Sequence, residues 1–71
     1  MTINVNLTNI STELNSVRYE YDLMVNGKYV KTDEITRETF SAEWLTNYFQ
    51  KWAYRTYKVG NAQIILHVNE A

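Results

Sequence analysis

Few side chains in this sequence are suited to acid–base, nucleophilic or metal chemistry, and they are scattered. His67 is the single histidine, and it lies beside Asn69 on the side of an alternating segment that faces solvent. An imidazole can serve as a general base, but only with a nucleophile or acid held beside it, and the neighbouring residues supply neither. A hydrogen-bonded strand residue is the simpler assignment. Asp33, Glu34 and Glu38 form the densest acidic cluster. Paired carboxylates can bind a hard cation or act as acid and base, yet this spacing lacks the ligand pattern and central glycine of a calcium loop. The cluster reads as a solvated connection. Ser11, Ser16 and Ser41 fall in loop or cap contexts, and none occupies a G-x-S-x-G elbow. With no cysteine, disulfides and Cys/His zinc sites are excluded. Gly27 and Gly60 are too far apart to cradle a phosphate. The expectation is a protein without catalytic residues, metal or cofactor.

Composition narrows the remaining classes. Seventy-one residues can enclose one core, so residues 1–71 are read as a single domain. A hydrophobic share of 45% with 21% charged residues is enough to fold rather than remain disordered. Seven Lys and Arg against eight Asp and Glu leave a net charge of −1. That is too balanced for a polyanion mimic and too acidic for a protein that holds nucleic acid mainly by charge. The sequence starts with neither a cationic leader nor an apolar run of signal length, and no segment has the length of a membrane span. The expected setting is soluble and cytoplasmic, with no membrane partner.

The elements that must position any binding surface follow from hydrophobic periodicity. Ile3, Val5 and Leu7 alternate with Asn4, Asn6 and Thr8, which predicts a strand with one wet face. Asn9 to Ser16 breaks the pattern and reads as a connection. A second strand is expected over Val17–Val25, with Val17, Tyr19, Tyr21, Leu23 and Val25 on one face. Asn26–Gly27 follows directly and suits a two-residue type I′ turn, in which both central residues need positive φ. Counting outward from that turn pairs Val25 with Lys28, Met24 with Tyr29, Leu23 with Val30, and Asp22 with Lys31. Thr32 to Thr39 fits either a loop or a strand continuing past a bulge near Ile35.

Helix signals then gather. Ser41 can cap an N-terminus, Glu43 suits the positive end of the dipole, and Phe40 can pack onto Leu45. A helix is predicted over Ala42–Tyr57, with Gly60 as its left-handed C-terminal cap. A final strand is expected over Ala62–Val68. The resulting fold class is α+β: a four-stranded mixed sheet in the order β-β-β-α-β along the chain and 3-2-1-4 in space, with one helix packed on one face. The predicted core is Ile3, Val5, Leu7, Val17, Tyr19, Tyr21, Leu23, Val30, Leu45, Phe49, Trp52, Ile64, Leu66 and Val68.

The helix carries more aromatic residues than its inward face, Leu45, Phe49, Trp52, Ala53 and Thr56, requires. Trp44, Tyr48, Lys51, Arg55 and Lys58 recur at 4-3-4-3 spacing as one stripe, and Asn47, Gln50, Tyr54 and Tyr57 as another. All three bases after residue 40 fall in the first stripe, opposed in that half of the chain by Glu43 and Glu70. Exposed Trp, Tyr and Arg are the residue types enriched at protein–protein hot spots, which points to a protein partner. Flat rings interleaved with cations would also suit a nucleic acid. The plainer alternative makes Trp44 and Tyr48 an extension of the core and leaves Lys51 and Arg55 merely solvated. A smaller candidate surface is the outer face of the hairpin, where Met24 opposes Tyr29, and exposed sheet edges leave a homodimer open. The short length, lack of a catalytic constellation and aromatic-rich surface resemble, in kind and without a shared motif, small phage and mobile-element proteins that inhibit a host factor by binding it, anti-CRISPR proteins among them. The reading is a binding module, inhibitor or adaptor, that docks a protein through the helix stripe.

Overall fold

The computed structural model describes residues 1–68. Strands β1 (Thr2–Glu13), β2 (Ser16–Val25) and β3 (Lys28–Arg37) precede helix α1 (Ala42–Tyr57) and strand β4 (Gln63–Val68). The sheet order is β3-β2-β1-β4, with β1 antiparallel to β2, β2 antiparallel to β3 and β4 parallel to β1. This is the expected topology, and the helix packs on one face alone.

Both flanking strands depart from simple alternation. Counting from the turn holds for Val25–Lys28 and Met24–Tyr29, but the register then shifts, so Leu23 faces Lys31, Asp22 faces Thr32 and Tyr19 faces Ile35. The expected pairs Leu23–Val30 and Asp22–Lys31 therefore do not form. Val30 is the extra residue and stays exposed, although it was expected in the core. The cause is burial further along the strand. Without the shift Glu34 would oppose buried Tyr19 and Ile35 would face water; one bulged residue restores the apolar partner. The segment left open between loop and strand is thus strand as far as Arg37.

The same correction applies to β1, where Asn9–Ser16 is not a connection. A shift between Leu7 and Asn9 makes Thr8 the extra residue, after which Ile10 faces Tyr19 and the strand continues to Glu13. Only Leu14 and Asn15 turn the chain, and Leu14 is almost fully exposed.

The core consists of Ile3, Val5 and Leu7, then Tyr19, Tyr21, Leu23 and Val25, all beneath Leu45, Phe49 and Ala53 of the helix, with Ala62 at the entry to β4. Tyr21 and Phe49 meet edge to face with centroids 5.3 Å apart. Val17, Trp52, Ile64 and Leu66, expected inside, are half-buried against this cluster. Val68 is exposed, since the edge strand β4 has a neighbour on one side only.

The helix begins as expected: Ser41 Oγ accepts from Trp44 N–H at 3.1 Å. The Phe40 ring lies on Tyr19, 5.6 Å between centroids. The C-cap is Lys58 (φ 60°), whose N–H donates to the Tyr54 carbonyl at 2.9 Å, and not Gly60. Val59 packs against the core, so the chain must leave the helix before it.

Asn26 (φ 51°) and Gly27 (φ 81°) make the turn between β2 and β3. Asn26 also ties down the start of the chain. Its Oδ1 accepts from Thr2 N–H at 3.0 Å and its own N–H donates to the Thr2 carbonyl at 2.8 Å. Asn26→Ala should therefore cost about 1–2 kcal/mol through left-handed strain and a lost hydrogen bond. Asn26→Gly should recover the conformational part alone, and urea melts of the two variants separate the contributions.

Burial, with the nearby Asp33 carboxylate and Tyr48, pushes the Tyr21 phenol up to about 12. Burial raises Tyr19 in the same direction. A phenol held protonated by the fold contributes stability in full below the ordinary tyrosine value of 10.0, and that contribution is lost as pH rises toward about 12. Tyr21→Phe should remove the last tyrosinate phase in an absorbance titration and flatten the alkaline fall of the urea midpoint. An unchanged alkaline limb would contradict this assignment.

Candidate functional site

Helix α1 is anchored asymmetrically. Gln50 Nε2 donates to the Ala62 carbonyl beside β4. Trp44 and Tyr48 lie on the other flank, where Arg37 of β3 reaches the Trp44 ring, and Lys51 and Arg55 run along the outward surface between the two flanks. The stripe is therefore physically continuous along one side of the helix.

Trp44 is half-buried and packs against the core. One of its neighbours is Tyr48, nearly parallel at 24° with centroids 5.2 Å apart. Another is Arg37, whose guanidinium carbon lies 3.9 Å from the indole centroid. Tyr48 in turn meets Phe49 edge-on at 5.1 Å, so the stack is rooted in the core. Trp44 is thus neither a free anchor nor a fully enclosed core residue; it supports Tyr48 and Arg37. Arg37 was not anticipated at this site. Its placement follows from the β3 bulge, which puts Ile35 and hence Arg37 on the helix side.

Lys51 and Arg55 are exposed and form a ridge between two shallow clefts. On one side Tyr48, Trp52, Lys51 and Arg55 line a space of ≈ 290 Å³. On the other, Gln50, Tyr54 and Gly60 join the same two cations around ≈ 250 Å³. Tyr54 is largely exposed and brings the second stripe into the site, and Trp52 closes the first cleft while resting on the core. Lys58 stands past the helix end at the C-cap and lines neither cleft. Among the described residues neither Lys51 nor Arg55 has an ion-pair partner.

Met24 and Tyr29 do oppose one another, on the sheet face away from the helix. Met24 is half-buried and its sulfur accepts from Asn6 Nδ2 at 3.9 Å. Tyr29 is 62% exposed with its hydroxyl 2.6 Å from Thr32 Oγ1, which donates at 2.6 Å to Asp22. The Met24–Tyr29 pair and the helix stripe are separate surfaces.

The remaining chemical candidates disperse. His67 Nε2 lies 2.9 Å from Asn4 Oδ1 on the open sheet face, and that hydrogen bond accounts for it. Asn69 and Glu70 lie outside the described residues. Asp33 and Glu34 are consecutive strand residues and point to opposite faces, so the acidic cluster is split. The Glu34 N–H, donating at 2.8 Å, and the Lys31 ammonium, at 3.4 Å, hold the Asp33 carboxyl below the usual range. Glu34 instead faces Arg18 at 3.8 Å. Among the described residues no group of three or more His, Cys, Asp or Glu could hold a metal ion, and no helix is long and apolar enough to cross a membrane.

Charge divides by face. Strand parity sets Lys31 and Arg37 on the helix side with Lys51 and Arg55, against Asp33 and Glu43. The open face carries Glu13, Glu20, Asp22 and Glu34 against Arg18. Compared with known protein families, characterised proteins and solved structures, the chain matches none.

Proposed function

We propose that this chain is a non-enzymatic protein-binding module that docks an acidic surface of a partner through the ridge of Lys51 and Arg55 and the rings of Tyr48 and Tyr54. The observation that carries the reading is the pair of cations, without an ion-pair partner among the described residues, standing between two aromatic-walled clefts on the cationic face. Tyr and Arg offer broad contact area with polar tips, and carboxylates on a partner would complete the guanidinium and ammonium donors. Trp44 acts from beneath, holding Tyr48 in place. The role is that of an inhibitor or adaptor in the cytoplasm, of the kind small phage and mobile-element proteins perform.

The same stripe is less suited to nucleic acid. A base stacks on an open ring face, whereas Trp44 is already flanked by Tyr48 and by Arg37. Two cations would also release few counterions.

Tagged protein exposed to nuclease-treated lysate should retain a discrete partner, and Lys51→Glu with Arg55→Glu should weaken that retention more than tenfold without altering the fold. Retention that disappears with nuclease treatment would assign the stripe to nucleic acid, and equal capture by the charge-reversed variant would remove the ridge from the interface. Trp44→Ala should lower stability by about 2 kcal/mol, less than a fully enclosed Trp, and weaken partner binding in the folded protein. Urea melts alongside titration of the captured partner test both parts.

A further inference from the structure

The two edges of the sheet are built differently. The β3 edge is ten residues long, carries Lys28, Lys31, Asp33 and Arg37, and is bent by the bulge at Val30. Charges and bulges of this kind discourage a further strand. The β4 edge has neither device. Gln63–Val68 reads Gln-Ile-Ile-Leu-His-Val, without Asp, Glu, Lys or Arg, and pairs with β1 in continuous register along its whole length. Among the described residues its outer side meets no strand, so a row of backbone donors and acceptors there is available. Its side chains remain partly open as well, with Ile64, Ile65 and Leu66 half-buried and Val68 51% exposed.

We propose that β4 pairs antiparallel with β4 of a second copy of this chain, joining two four-stranded sheets into one eight-stranded sheet about a two-fold axis. The sequence of the edge favours its own copy. A two-fold centred on Leu66 sets Ile64 against Val68 on the helix face and Ile65 against His67 on the open face. Centred on Ile65, it sets Ile64 against Leu66 and Gln63 against His67. Either register keeps apolar residues together on the helix face and puts no pair of acidic or basic side chains in opposition. The helix then covers the same face in both copies. A core of this size with no disulfide gains most from such an extension, because burying the edge residues adds apolar area that the monomer leaves wet. This surface is distinct from the Lys51–Arg55 ridge, and the two proposals stand or fall separately.

Sedimentation equilibrium over a concentration series tests the pairing. The wild-type chain should pass from monomer to dimer mass, with a midpoint insensitive to salt because the edge is uncharged. Ile65→Lys on the open face and Val68→Lys at the exposed end should each move that midpoint at least about tenfold higher, about 1.4 kcal/mol, with unchanged circular dichroism. Two edge variants guard against one that fails to fold. Lys51→Glu with Arg55→Glu should leave the dimer intact. A wild-type chain that stays monomeric to millimolar concentration, or a dimer that survives both edge substitutions, would overturn the proposal.

Discussion

Tyr19 sets the geometry of the sheet. Its ring has no exposed surface, its hydroxyl donates to the Thr39 carbonyl at 3.2 Å, and Phe40 lies against it. A buried position of that size needs apolar neighbours on both adjacent strands, and Ile10 and Ile35 are the residues that fill them. Neither isoleucine falls there by plain alternation, so each strand takes up one extra residue, Thr8 in β1 and Val30 in β3. An unpaired residue in a bulge costs less than the Asn9 amide of β1 or the Glu34 carboxylate of β3 set against a buried ring. The consequence runs into the candidate site. Once Ile35 faces the helix side, Arg37 does too, and from there it reaches the Trp44 ring. Trp44 stacks on Tyr48, and Tyr48 borders the cleft beside Lys51 and Arg55. The placement of the candidate site thus depends on a packing requirement in the middle of the sheet.

That dependence explains which parts of the molecule could be read from the sequence. Alternation in β2, the Asn26–Gly27 turn, the Ser41 cap and the helical period are local signals, and they specified element type, strand order and the helix bounds. The first two pairs beyond the turn were specified as well. Local rules fail where burial elsewhere outweighs them: the pairing of Leu23 follows from Tyr19, four residues away along β2, and not from the nearby turn. A trace was present in β1. Leu7 and Ile10 differ in parity, and an odd spacing between inward residues of one strand marks a bulge. The intermediate burial of Trp44 left no such trace, because it depends on Arg37 arriving from another strand. Gly60 misled for a related reason: glycine is the favoured left-handed residue, yet the pull of Val59 into the core made Lys58 adopt that conformation.

Net charge illustrates the same limit for function. The sum of −1 argues against binding driven by charge, but a sum carries no information about arrangement. Here the acidic residues gather on the open sheet face and the cations on the helix side. The smallest extent of the fold is 16 Å, measured between Cα positions. Charges on the open face lie farther from a partner at the helix side by up to that thickness, and their field there is weakened by distance and by the salt in the solvent around the molecule. A partner approaching the helix side therefore meets Arg37, Lys51 and Arg55 and little of the compensating negative charge. The same molecule turned over presents an acidic face, which disfavours the wrong orientation. A domain this small can orient a charged partner without carrying a large net charge, provided its sheet is covered on one side only and its strand parity assigns each charge to a face.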